Sequence, residues 1–159
     1  MIFVTVGAQM PFDRLIATID RWAGAAGRRD VFAQIGETDL VPEHLTWAAR
    51  LDPIEFREKI DAAELVISHA GMGSILTALE HNRPILVFPR RGALRETRND
   101  HQVATAEWLA GQGRVAVALD EAELTRKLEA LDEFQAPGEI QRWASDELLS
   151  TIRDFISCS

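Results

Sequence analysis

The run Ser68-His69-Ala70-Gly71-Met72-Gly73-Ser74 puts a histidine, two glycines and two serines directly after the apolar Leu65-Val66-Ile67, and a helical pattern is expected to begin at Ser74. Such a strand, loop and helix start suits anion binding, because the first N–H groups of a helix lack intrahelical acceptors and carry the positive end of its dipole. Gly71 and Gly73 let a ligand come close to the main chain, and Ser74 could cap the helix or donate to a phosphate oxygen. His69 stands at a strand's carboxyl end, where open α/β sheets place ligands. A phosphate-bearing ligand fits this pattern. An ordinary glycine turn beside a hydrogen-bonded core histidine fits it too, since a short Gly-x-Gly is an incomplete fingerprint.

A second polar region, Phe88 to Gln102, follows another apolar run and could face the same crevice. Glu96, Asp100 and Gln102 could bond sugar hydroxyls, and Arg90 could offset phosphate charge. The competing reading is a solvated loop with a helix cap at Asn99 or Asp100; it is preferred for Arg91, Arg95 and Arg98, and Gln102 is left open. Other chemistries lack their residues. There is no Gly-x-x-x-x-Gly-Lys-Ser/Thr loop, and neither Gly7 nor Gly71 opens a complete dinucleotide pattern, so NTP hydrolysis and NAD-dependent hydride transfer are poorly supported. His44, His69, His81 and His101 have no close metal-ligand spacing, and Glu37-Thr38-Asp39 reads as a solvated turn, so no catalytic metal and no cofactor are expected. Ser74 is not in a Gly-x-Ser-x-Gly elbow, which argues against an acyl-transfer triad.

The elements that must position these residues alternate between strand and helix. Met1 to Gly7 is a buried first strand ending at a glycine, and Phe12, Leu15, Ile16 and Ile19 mark a helix from Pro11 or Phe12 that Gly24 and Gly27 end. Strands are expected at Val31 to Gly36, within Leu45 to Leu51, at Ile85 to Phe88 and at Val115 to Ala118. Pro53 starts a helix carrying Ile54, Phe56 and Ile60. A further helix carries Val103, Ala106 and Leu109. Asp120 caps another, with Glu123 as its capping-box partner, and an amphipathic helix over about 139–156 is expected to pack on the domain or reach a partner. The βα repetition predicts an α/β, Rossmann-like parallel sheet with helices on both faces.

The chain has 159 residues, enough for a single domain, and its 47% hydrophobic and 26% charged content is that of a soluble globular protein. A net charge of −8 argues against a broad nucleic-acid surface and leaves room for a local basic pocket. Cys158 is the single cysteine, so no internal disulfide forms and a cytoplasmic location is expected. No membrane span and no secretion signal are read.

Ser68-His-Ala-Gly-Met-Gly-Ser-Ile-Leu76, Pro84-Ile-Leu-Val-Phe-Pro-Arg90 and Glu96-Thr-Arg-Asn-Asp-His-Gln102 together resemble the donor-binding, carboxyl-terminal half of MurG-like glycosyltransferases. Val4-Thr-Val-Gly7, Phe12-Asp-Arg-Leu15 and Gln34-Ile-Gly36 are similar to that group as well. The likeness is closest to separate-chain versions: the catalytic subunit of the eukaryotic dolichol-linked GlcNAc transferase and PssE-type exopolysaccharide subunits. The resemblance implies one half of a GT-B glycosyltransferase over residues 1–159 that binds a UDP-sugar without a metal. His69, Gly71, Gly73 and Ser74, in the run that includes Ser68 and Ala70, would hold the diphosphate, with His69 and Ser74 stabilising the leaving group. Gln102, beside Asp100 and His101, would contact the donor sugar; Leu51 would receive the uracil, and Gly7 would face the interdomain cleft. Thr77 stands where relatives often carry an acidic residue for the ribose. A membrane-associated partner subunit would bring a lipid-linked acceptor and the general base, recruiting the chain to the cytoplasmic face of a membrane. A non-catalytic UDP-sugar-binding module and a nucleotide-sugar hydrolase or epimerase are the alternatives.

Overall fold

The computed structural model describes residues 1–8, 10–111 and 115–131. Six parallel strands form one sheet: β1 (Ile2–Thr5), β2 (Val31–Gln34), β3 (Thr46–Ala48), β4 (Leu65–Ser68), β5 (Ile85–Val87) and β6 (Ala116–Val117), in the order β3-β2-β1-β4-β5-β6. β1 is the centre from which the chain winds outward to β2 and β3, then returns to β4 on its other side. That reversal opens a crevice at the carboxyl ends of β1 and β4, where Gly7 and His69 follow their strands.

The near-continuous apolar strands are those of a sheet covered on both sides. Ile2 and Val4 of β1 face a core with Leu15, Ile16 and Ile19 of α1 (Asp13–Ala26) and Leu124 and Leu128 of α5 (Glu121–Glu129). Phe3 faces the other way, toward Ile60 of α2 (Pro53–Ala62), Ile75 and Leu79 of α3 (Met72–Glu80) and Leu109 of α4 (His101–Gly111). Helix α1 ends as its glycines suggest. Gly27 has φ +66° and donates to Gly24 O while Arg28 N donates to Ala23 O, a left-handed cap that closes the last turn.

Local details depart from expectation in informative ways. Helix α3 starts at Met72, two residues before Ser74, with Gly71 as a cap that supplies no side-chain acceptor. Ser74 is thus inside the first turn and does not cap it. Asp52 makes a full capping box with Glu55 ahead of α2, a signal in Asp52-Pro-Ile-Glu55 stronger than the proline alone. Asp120 does cap α5, accepting from Glu123 N at 2.8 Å, but the Glu123 carboxylate reaches past Asp120 to Leu119 N at 2.9 Å. Asn99 caps the start of α4 by accepting from His101 N at 3.0 Å. The expected helix over 139–156 lies outside the described residues. Among those described, no helix is long and apolar enough to cross a membrane.

Candidate functional site

A cavity of about 640 Å³ runs across the carboxyl ends of β4, β1 and β2. One wall is the start of α3, with Gly71, Gly73, Ser74 and Thr77; the opposite wall, from α2 and the segment before it, is Leu51, Pro53, Phe56 and Arg57. The first α-helical hydrogen bond of α3 runs from Ile75 N to Gly71 O at 3.2 Å, so the N–H groups of Met72, Gly73 and Ser74 have no intrahelical acceptor. With no side-chain cap either, these donors and the helix dipole are left for a ligand. A Cβ built on Gly73 meets nothing within 4 Å, so the fold itself does not require glycine there. Among the described residues Arg57 is the permanent charge on the cavity walls and no carboxylate lines them, although the chain carries a net −8. The local field therefore favours an anion.

His69 forms the floor between two glycines. A Cβ on Gly71 would fall 2.1 Å from His69 Nε2, and one on Gly7 would fall 2.6 Å from Cε1, so the ring is wedged against both backbones. Gly7 also has φ +81°, a conformation that side chains disfavour. Burial and then the charge of Arg90 push the His69 pKa down to about 4, against a smaller opposing effect of the Thr5 main chain. The ring is neutral at pH 7 and offers one N–H. Ser68 Oγ lies 3.3 Å from its Nδ1 and is fully buried, so Ser68 orients the ring from below and does not line the cavity.

The next wall is fixed by Gln102 of α4. Its Oε1 accepts from Ala70 N at 3.2 Å and Arg90 N at 3.1 Å, tying the β4 and β5 loops together. Two N–H donors converging on one atom identify it as the oxygen, which turns the amide nitrogen to the cavity that Gln102 lines. Ala70 contributes its main chain to this lock.

The structure moves other expected residues away from the cavity. Arg90 is 4% exposed, and its terminal nitrogens donate to Val6 O (2.7 Å), Met10 O (2.6 Å), Pro11 O (2.6 Å) and Glu96 O (3.4 Å), holding the loop after β1. Its charge reaches the site through space, on His69, while its donors serve carbonyls. Glu96 pairs with Arg14 of α1 through both oxygens, each at 2.9 Å, and accepts from Arg91 N; Arg14 in turn lies 4.4 Å over the Phe88 ring. A carboxylate held in this partly buried fork has no reach to a sugar in the cavity. Asp100 accepts from Gly92 N at 2.9 Å and His101 is exposed at the start of α4; neither lines the cavity. Arg91 donates to Leu119 O and is not simply solvated.

Gly7, Leu51, His69, Gly71, Gly73, Ser74 and Gln102 are thus brought to one cavity, whereas Ser68, Ala70 and Arg90 support it from behind. Gln34, Phe56 and Arg57 line it and were not foreseen as site residues. The model of the glycosyltransferase family 28 C-terminal domain matches residues 1–154. The chain belongs to this family. Human UDP-N-acetylglucosamine transferase subunit ALG13 is 35% identical over 124 residues, 72% of this family 28 chain, and the match takes in only 10% of the human protein's length. The NMR solution structure of ALG13 superposes with a TM-score of 0.60 at 21% identity, covering 96% of each chain. Crystalline MurG of Acinetobacter baumannii superposes with a TM-score of 0.61 at 18% identity, covering 99% of this family 28 chain and 49% of that one. The Rossmann-like, GT-B type of half-domain implied by the motifs is therefore the fold of this chain.

Proposed function

We propose that this family 28 domain is the catalytic, UDP-sugar-binding subunit of a two-chain glycosyltransferase that moves a hexose-type sugar to a lipid-linked acceptor. The observation that carries the reading is the row of acceptor-less N–H groups at the start of α3, facing a cavity with no carboxylate among the described residues on its walls. The diphosphate lies against Met72, Gly73 and Ser74 N–H, with Ser74 Oγ and the neutral His69 ring beside it. The uracil lies toward Leu51 and Phe56, and the donor sugar toward the Gln102 amide. As the glycosidic bond breaks, the anomeric carbon gains positive character and the departing UDP gains negative charge. Donors fixed before the reaction stabilise that charge most where it grows, lowering the barrier without a metal.

Among the described residues no carboxylate lines the cavity where an acceptor hydroxyl would meet the sugar, and His69, wedged between two backbones with its pKa pushed down to about 4 by burial, is a weak proton acceptor. The base and acceptor site are assigned to a membrane-associated partner, which also recruits this chain to the cytoplasmic face. One finding supports that division: the human relative is by name a transferase subunit. The relative's name makes UDP-GlcNAc the first donor to try.

UDP titration of the purified protein should give saturable binding that His69→Ala and Ser74→Ala each weaken about tenfold. Sugar transfer should require the added partner. Wild-type affinity in both variants would reject the diphosphate assignment, and transfer by the isolated chain would reject the shared site. Gly73→Ala separates fold from ligand. An alanine in the first turn stabilises the helix by up to about 1 kcal/mol, while its methyl group occupies the open space before the N–H row. The melting temperature should hold or rise as UDP affinity falls tenfold or more; unchanged affinity would place the diphosphate elsewhere.

A further inference from the structure

Gln34 ends β2 and is only 6% exposed, yet it lines both the main cavity and a neighbouring one of about 260 Å³. Its orientation is dictated by a chain of hydrogen bonds. Gly7 N donates to Thr5 Oγ1 at 3.1 Å, which occupies that oxygen as an acceptor; the hydroxyl hydrogen points to Gln34 Oε1 at 2.6 Å. The amide oxygen is thus the atom held against Thr5, and no described acceptor takes a hydrogen bond from the NH2 group. Among the described residues Arg83 Nε is the buried side-chain nitrogen or oxygen without a partner, so the Gln34 NH2 is open to the cavities it lines, and its donors are available there to a ligand oxygen.

The sheet says which part of the ligand. Across the carboxyl edge the order is β3, β2, β1, β4, with α3 and its N–H row after β4 and Leu51 after β3. Gln34 lies two strand spacings, roughly 10 Å, from β4 and one spacing from β3. A nucleoside diphosphate anchored at α3 and extended toward Leu51 and Phe56 carries its nucleoside over the end of β2. Thr77, on the α3 wall, already donates its hydroxyl hydrogen to Gly73 O at 2.8 Å. It has no proton left for a nucleoside oxygen.

We infer that Gln34, oriented by Thr5, is a nucleoside-binding residue whose amide NH2 donates to a ribose hydroxyl or pyrimidine carbonyl oxygen of the donor. The inference rests on the proposed UDP-sugar reading. Titrations of UDP and of inorganic pyrophosphate into wild type, Gln34→Met and Gln34→Glu at pH 8 test it, with thermal melts of the ligand-free proteins. Gln34→Met should bind UDP about tenfold more weakly, and pyrophosphate as wild type does. Gln34→Glu keeps an acceptor for the Thr5 hydroxyl and should lose at least as much UDP affinity, because a carboxylate cannot donate. A smaller loss when 2′-deoxy-UDP replaces UDP places the bond on the 2′-hydroxyl; an equal loss places it on the rest of the nucleoside. Wild-type UDP affinity in either folded variant overturns the assignment, as does an equal loss for UDP and pyrophosphate. A wild-type protein that binds no UDP overturns the donor reading itself, an outcome distinct from both.

Discussion

Replacing Gly71 by alanine is expected to destabilise the protein by about 2–3 kcal/mol and to lower UDP affinity by at least a hundredfold. The added Cβ would sit 2.1 Å from His69 Nε2 and 2.7 Å from its Cε1, well inside contact distance. Sliding the ring away is blocked on its other side by Gly7, whose backbone already approaches so closely that its own Cβ would lie 2.6 Å from the ring. The relief that remains is for His69 to swing upward, off Ser68 and into the cavity. That position coincides with the diphosphate. Gly71 itself has φ −82°, so the penalty is one of space and not of backbone conformation. Denaturant melts and UDP titrations measure the two effects separately. A folded Gly71→Ala protein that binds UDP like wild type would show that the ring need not lie against this backbone, and the site would have to be redrawn.

The same residues show what a sequence makes legible. The floor of the cavity could be anticipated because its parts are local: an apolar strand, a glycine loop and a helix start follow one another within Leu65 to Leu79. Period and punctuation also located α1 and every strand, although β3 and β6 are shorter than their apolar runs. The start of α3 differs from expectation because Gly71 and Met72 carry no capping signature; free N–H groups there are useful because no described side chain caps them. The loop from Arg90 to Gln102 was harder, since its composition does not reveal which charges meet one another. Arg14, 82 residues before Glu96, decides that Glu96 faces α1 and not the ligand. Gln34 is not legible as a site residue for a similar reason. In the sequence it is one polar residue at a strand end, and its meaning depends on a hydroxyl 29 residues away, brought alongside by the β1–β2 pairing.

That dependence on neighbours gives His69 a measurable signature in the stability of the ligand-free protein. Its pKa falls from an ordinary 6.5 to about 4 in the folded state, first through burial and second through Arg90. Between those values the unfolded chain binds a proton that the native state refuses. Stability is therefore complete above pH 6.5 and declines as the pH falls toward 4, by about 3 kcal/mol in all. Asp30 acts in a lower window. Burial pushes its pKa up, but the hydrogen bond and charge of Arg28 outweigh that and hold it below 3.8, so its contribution is lost only in stronger acid. His69→Gln removes the titrating ring and keeps polar atoms in its place, so its urea midpoint should change far less than that of wild type between pH 7 and 4, with the two curves converging in acid. The other three histidines are common to both proteins and cancel in the comparison. Parallel curves would mean that His69 accepts a proton as readily folded as unfolded, and would remove the ground for treating it as a neutral donor to the departing diphosphate.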